Sequence, residues 1–61
     1  MFEIGGTYRF ETVDPMMGDY RSFDGMVLRE KAHLIEVRMH DGEVKILNTA
    51  ASTFIAARRS Q

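Results

Sequence analysis

Leu34-Ile35-Glu36-Val37-Arg38-Met39-His40-Asp41-Gly42-Glu43-Val44-Lys45-Ile46-Leu47-Asn48 is the stretch whose reading decides the fold. Ile35, Val37 and Met39 alternate with Glu36, Arg38 and His40, and Val44 and Ile46 alternate with Glu43 and Lys45. A period of two is that of a half-buried strand. Asp41-Gly42 stands between the two runs, and such a pair tolerates the positive φ angles of a two-residue type I′ turn. With that pair as the whole loop, His40 faces Glu43, Met39 faces Val44, Arg38 faces Lys45 and Val37 faces Ile46. Both strands then turn their apolar sets to one side. One more loop residue would set Met39 against Glu43 and Val37 against Lys45, mixing the faces, so the expectation is the two-residue loop. Arg38 opposite Lys45 is a like-charge pair that Glu36 and Glu43 offset from the diagonals.

Working outward, Tyr8, Phe10 and Thr12 alternate with Thr7, Arg9, Glu11 and Val13, which marks a first strand. Gly5-Gly6 ahead of it reads either as a bulge or close backbone approach, or as a flexible lead-in. Residues 14–22, Asp-Pro-Met-Met-Gly-Asp-Tyr-Arg-Ser, form a loop, because Pro15 cannot donate to a ladder, Gly18 allows a reversal and the aspartates favour local backbone bonds. Residues 23–31 read as a second strand bending at Gly25, and 30–33 as the turn into the central hairpin. Leu28, Ala32, Ile35 and Met39 also lie at helical spacing, so a helix over 26–39 is the competing reading. After Ile46, residues 48–53 predict one short helical turn, followed by a last strand over 53–57 and a tail over 58–61. A helix over 49–59, capped by Asn48 or Thr49 and ended by arginines, competes with that.

The chain has 61 residues, no cysteine and two histidines. Residues 1–61 therefore make a single domain, with a core over about 4–58, that buries only roughly 60% of its unfolded surface. No disulfide can staple it, and one chain lacks the ligands for a structural zinc site. Closing the sheet into a barrel or covering a face with another copy are the remaining devices, so a homo-oligomer is expected. Eight basic against nine acidic residues give a net charge of −1, without the basic excess of proteins that live on phosphate backbones. The apolar runs are short and the first residues carry no basic start or long apolar stretch, so the expectation is a cytoplasmic protein with no membrane contact.

Five short strands, a long loop after the first, tighter turns between the second, third and fourth and a helical turn before the fifth resemble an SH3-like small barrel over roughly residues 4–58. The fold class expected is thus all-β, a five-stranded SH3-like barrel with that short helical turn. Phe23-Asp24-Gly25-Met26-Val27-Leu28, Leu34-Ile35-Glu36-Val37, Val44-Lys45-Ile46 and Phe54-Ile55 are also similar to the strand succession of Sm-like domains, which form rings and bind RNA. Lys31-Ala32-His33-Leu34 stands where that family has its Asp-x-hydrophobic-Asn signature, and Ile55-Ala56-Ala57 replaces its Ile-Arg-Gly end motif. No residue here inherits that family's RNA pocket.

The candidate site residues lie mostly in the long loop. Met16, Met17, Tyr20 and Phe23 place adaptable apolar groups where solvent is expected, as partner-binding surfaces do; the competing reading folds them back over an open barrel end. Arg21, Arg58 and Arg59 beside Tyr20 and Phe23 would suit a single nucleic-acid strand, against the plainer reading of a solubilising tail. His33 and His40, at opposite ends of one strand, are roughly 23 Å apart at about 3.3 Å per residue, too far to share a metal. Asp14, Asp19, Asp24, Glu30 and Asp41 are scattered over turns, and Ser22, Ser52 and Ser60 lack the context of an activated nucleophile. The function expected is a non-enzymatic module, without cofactor or metal, that binds a protein partner or itself, with RNA or single-stranded nucleic acid as the alternative.

Overall fold

Alternation along the strands sends Phe10, Val27, Ile35 and Val37 to one side, and in the structure, a computed structural model that describes residues 2–60, these four are the fully buried core. Five strands supply it: β1 (Thr7–Val13), β2 (Tyr20–Lys31), β3 (Leu34–Met39), β4 (Val44–Asn48) and β5 (Phe54–Arg59). They form one antiparallel sheet in the order β4-β3-β2-β1-β5. Strand β2 is long enough, at 12 residues, to pair its first part with β1 and its last part with β3. The register with β3 shifts between Val27 and Arg29, leaving Leu28 without a partner, and a second shift leaves Ile55 of β5 unpaired. Such bulges bend and twist strands. Leu47 of β4 and Phe54 and Ala57 of β5 pack against the same core cluster, so the sheet curves over it from both edges.

The curvature stops short of closure. β4 and β5 each have one neighbour, so the sheet is open where a closed barrel was expected. The expected helical turn is absent too. Residues 49–53 make two successive turns instead: Asn48 O accepts from Ala51 N–H at 3.1 Å, and Ala51 O from Phe54 N–H at 3.0 Å. Asn48 Oδ1 takes Ala50 N–H at 2.9 Å, the local competition that keeps a helical ladder from starting. Both stretches open to a helical reading, 26–39 and 49–59, are occupied largely by strands. Strand β5 runs on through Arg59, so Arg58 and Arg59 belong to the sheet and not to a tail; Gln61 lies outside the described residues.

The central hairpin forms, but one residue out of the expected register. Leu34 faces Asn48, Ile35 faces Leu47, Val37 faces Lys45 and Arg38 faces Val44. The loop is His40-Asp41-Gly42, closed by Met39 N–H to Glu43 O at 2.7 Å and Gly42 N–H to Met39 O at 2.9 Å. Gly42 has φ +93°, and Asp41 Oδ1 accepts Glu43 N–H at 2.9 Å. A three-residue loop needs a left-handed residue only at its end, which Gly42 supplies, whereas type I′ needs two. Its consequence is that Lys45 and Leu47 face the core side while Val44 and Ile46 face outward, Ile46 being 69% exposed. Lys45 is tolerated there because it stays exposed at the sheet edge, with its ammonium 5.8 Å over the ring of Phe23.

At the other end of β3, Lys31 pairs with Leu34 across the two-residue turn Ala32-His33, and Ala32 takes φ +54°. The segment before β1 resolves the Gly5-Gly6 question. Gly5 N–H reaches Val27 O at 2.7 Å and Val27 N–H reaches Gly6 O at 2.9 Å, setting two residues against one as in a bulge. Phe2 then packs edge-on against Tyr8, centroids 5.1 Å apart, and donates its N–H to Glu30.

Gly25 has no space for a side chain, since an added Cβ would lie 2.2 Å from Val37 Cγ1. Gly25→Ala is expected to lower stability by about 2 kcal/mol through forced overlap, read from urea denaturation. Ala32→Gly should do the opposite. Relief of left-handed strain outweighs the added chain entropy and raises stability by about 1 kcal/mol in the same measurement.

Candidate functional site

Asp14 organises the loop that carries most of the candidate residues. Its N–H donates to Asp19 O at 2.8 Å and its carbonyl accepts Gly18 N–H at 2.7 Å, closing the loop onto the end of β1. Its Oδ1 accepts the N–H groups of Met17 at 3.1 Å and Met16 at 2.9 Å. Those two backbone bonds hold the Asp14 carboxyl below the ordinary aspartate range. With the backbone fixed in this way, Met16 and Met17 stand out from the surface, Met16 at 91% exposure, and Tyr20 is exposed at the start of β2.

Phe23 does not join them. It lies opposite Phe10, with centroids 5.7 Å apart, whereas Tyr20 is three positions away in β2 and so on the opposite face. Met16 and Met17 thus stand exposed on the loop and Tyr20 on the outer face of β2, where Glu11 and Arg58 lie near its hydroxyl, while Phe23 serves the interior side of the sheet.

The three arginines are dispersed as well. Arg21 lies opposite Thr12 on the inner side of the sheet, and Arg58 lies opposite Arg9 on the outer side. Arg59 is engaged by an ion pair with Glu3 and stands 5.5 Å over the ring of Tyr8. Arg9 is likewise held by Asp24 at 3.0 Å, and Arg29 by Glu36 at 2.7 Å. The three candidate arginines therefore do not share one face, which is what a backbone-tracking groove built from them requires.

His33 sits in the β2–β3 turn and His40 in the β3–β4 turn, at opposite ends of β3. Among the described residues no group of three or more His, Cys, Asp or Glu side chains is placed to hold a metal ion. No helix of the described residues is long and apolar enough to cross a membrane.

Two surface features escaped the sequence reading. Both follow from the one-residue register difference. Outward-facing Val44 and Ile46 join exposed Leu34 and Met26 in an apolar face on β2, β3 and β4, interrupted by Glu36 and Arg38. Inward-facing Lys45 and Leu47, together with Phe23 and Met39, wall a recess on the other side. The signal that could have found them was the very register in which Val37 faces Lys45, discarded because it mixes the faces.

Because its pKa is lowered in the folded protein, the ordering contribution of Asp14 is full above the ordinary aspartate pKa and is lost as pH falls through the depressed value. The amide resonances of Met16 and Met17 should titrate with a midpoint below that of a free aspartate, and Asp14→Ala should abolish the transition. No family model, curated protein or solved structure matches the chain.

Proposed function

We propose that this chain is a non-enzymatic, SH3-like module that works by assembly, with β4 as the strand through which it pairs with a second copy. The observation that carries this is the composition of β4, Val-Lys-Ile-Leu-Asn, on an edge with no strand beyond it. Four of its five residues are exposed. Edges of this kind are usually kept from pairing by proline, a bulge or charge, and of these β4 carries only Lys45, which faces the core side. Here the outward positions are Val44 and Ile46 beside Leu34.

A two-fold arrangement of β4 on itself suits the side chains. With Ile46 opposite Ile46 of the second copy, Val44 meets Asn48 and Lys45 meets Leu47, so no like charges face each other. The pairing would satisfy the free backbone groups of both edges and cover apolar surface that so small a core leaves outside. The exposed Met16, Met17 and Tyr20 lie outside β4 and are the residues we assign to a protein partner. Closure of the SH3-like barrel is part of this reading only in the sense that the second copy occupies the edge that closure would have removed.

Ile46→Lys tests the proposal with little risk to the fold, because Ile46 is outward and lies across from Glu36. Sedimentation equilibrium is expected to give a dimer for the wild-type protein at micromolar concentrations and a monomer for the variant, with matching circular dichroism. A wild-type protein that stays monomeric over the whole accessible concentration range overturns it.

A further inference from the structure

A recess of about 410 Å³ opens on the core-facing side of the sheet, with Thr12, Arg21, Phe23, Met39, Lys45 and Leu47 on its walls. That is the size of a site for a small molecule. Its chemistry is asymmetric, since two walls are cations, three are apolar and none of the lining residues is acidic. Neither Arg21 nor Lys45 forms an ion pair among the described residues. Asp14 lies close enough to Arg21 to feel its charge, but its Oδ1 is already bonded by the Met16 and Met17 amides.

The placement of Lys45 is the second observation. Lys45 is exposed on the core-facing side of the edge strand, with its ammonium 5.8 Å over the ring of Phe23 and no carboxylate paired with it among the described residues. An anion would complete that environment. The shape of the donors narrows which anion: a guanidinium fork matches a planar carboxylate, and beyond the two cations only the Thr12 and Ser22 hydroxyls add side-chain donors for the many oxygens of a phosphate.

We propose that this recess binds a small carboxylate carrying a flat or aliphatic apolar body. The carboxylate sits between Arg21 and Lys45, and the body rests against Phe23, Met39 and Leu47. This goes beyond assembly through β4 and does not depend on it, because the recess is formed by one chain.

Phenylacetate, with phenylacetamide as its uncharged counterpart, is a suitable probe in an NMR chemical-shift titration of the full chain. Saturable shifts are expected at Phe23, Met39, Lys45 and Leu47, with phenylacetamide at least about tenfold weaker. Arg21→Gln and Lys45→Gln, both at exposed positions, should each weaken phenylacetate by about tenfold, the loss of one charge-assisted bond, without shifting the denaturation midpoint. Lys45→Arg should retain binding. Running the titration on Ile46→Lys as well separates the two proposals, since the recess should bind equally in a monomer. Absence of saturable shifts, equal affinity for the amide, unchanged affinity in both glutamine variants, or equally tight binding of inorganic phosphate at the same residues would each overturn the assignment.

Discussion

Val37 can lie at the centre of the core only because β2 presents a bare backbone to it at Gly25. That contact draws β3 close against β2 and puts Val27, Val37, Ile35 and Phe10 in one cluster. The rest of the molecule is arranged around this approach. β1 and β3 flank the two ends of the long β2, and the bulges at Leu28 and Ile55 curve the sheet so that residues of both edges reach the same four side chains. With so few residues fully buried, each contributes a large share of a small stability.

The central hairpin shows how far alternation can be trusted. Period two located β3 and β4 and named Ile35 and Val37 as core, because a strand's faces are fixed by geometry alone. It could not place β4 in register. Matching apolar to apolar assumed that the inner face had to be filled from within the hairpin, whereas Phe23 of β2 provides the surface on which Lys45 lies. The loop chemistry also pointed both ways, since Asp-Gly suits a two-residue turn and equally the end of a three-residue one. A partner two strands away was invisible in the local sequence. The same holds for Phe23, which read as adjoining the 14–22 loop but whose ring belongs with Phe10.

Elsewhere local chemistry was legible because the competing interactions were themselves local. Asp14, Pro15 and Gly18 marked the long loop, and its hydrogen bonds join Asp14 to Met16, Met17, Gly18 and Asp19 within the same loop. Asn48 competes for backbone groups as its side chain allows, yet the outcome is a pair of turns and not a helical turn. The extent of β5 was missed because Arg58 and Arg59 read as a solvated end; their place is set by β1, through Arg9 and Tyr8 across the ladder. Of the residues singled out from sequence, Met16, Met17 and Tyr20 are exposed, Arg58 lies near Tyr20 on the outer face, and Phe23, Arg21 and Arg59 lie on the inner side of the sheet.

The order of the strands also bears on how the chain reaches this state. β1–β2, β2–β3 and β3–β4 are hairpins between consecutive segments, which close with little loss of loop entropy. β5 alone must find a strand from the opposite end of the chain. Its docking carries the largest closure cost, and wherever β5 is undocked the β1 edge is bare, with its backbone groups open to pairing with another chain.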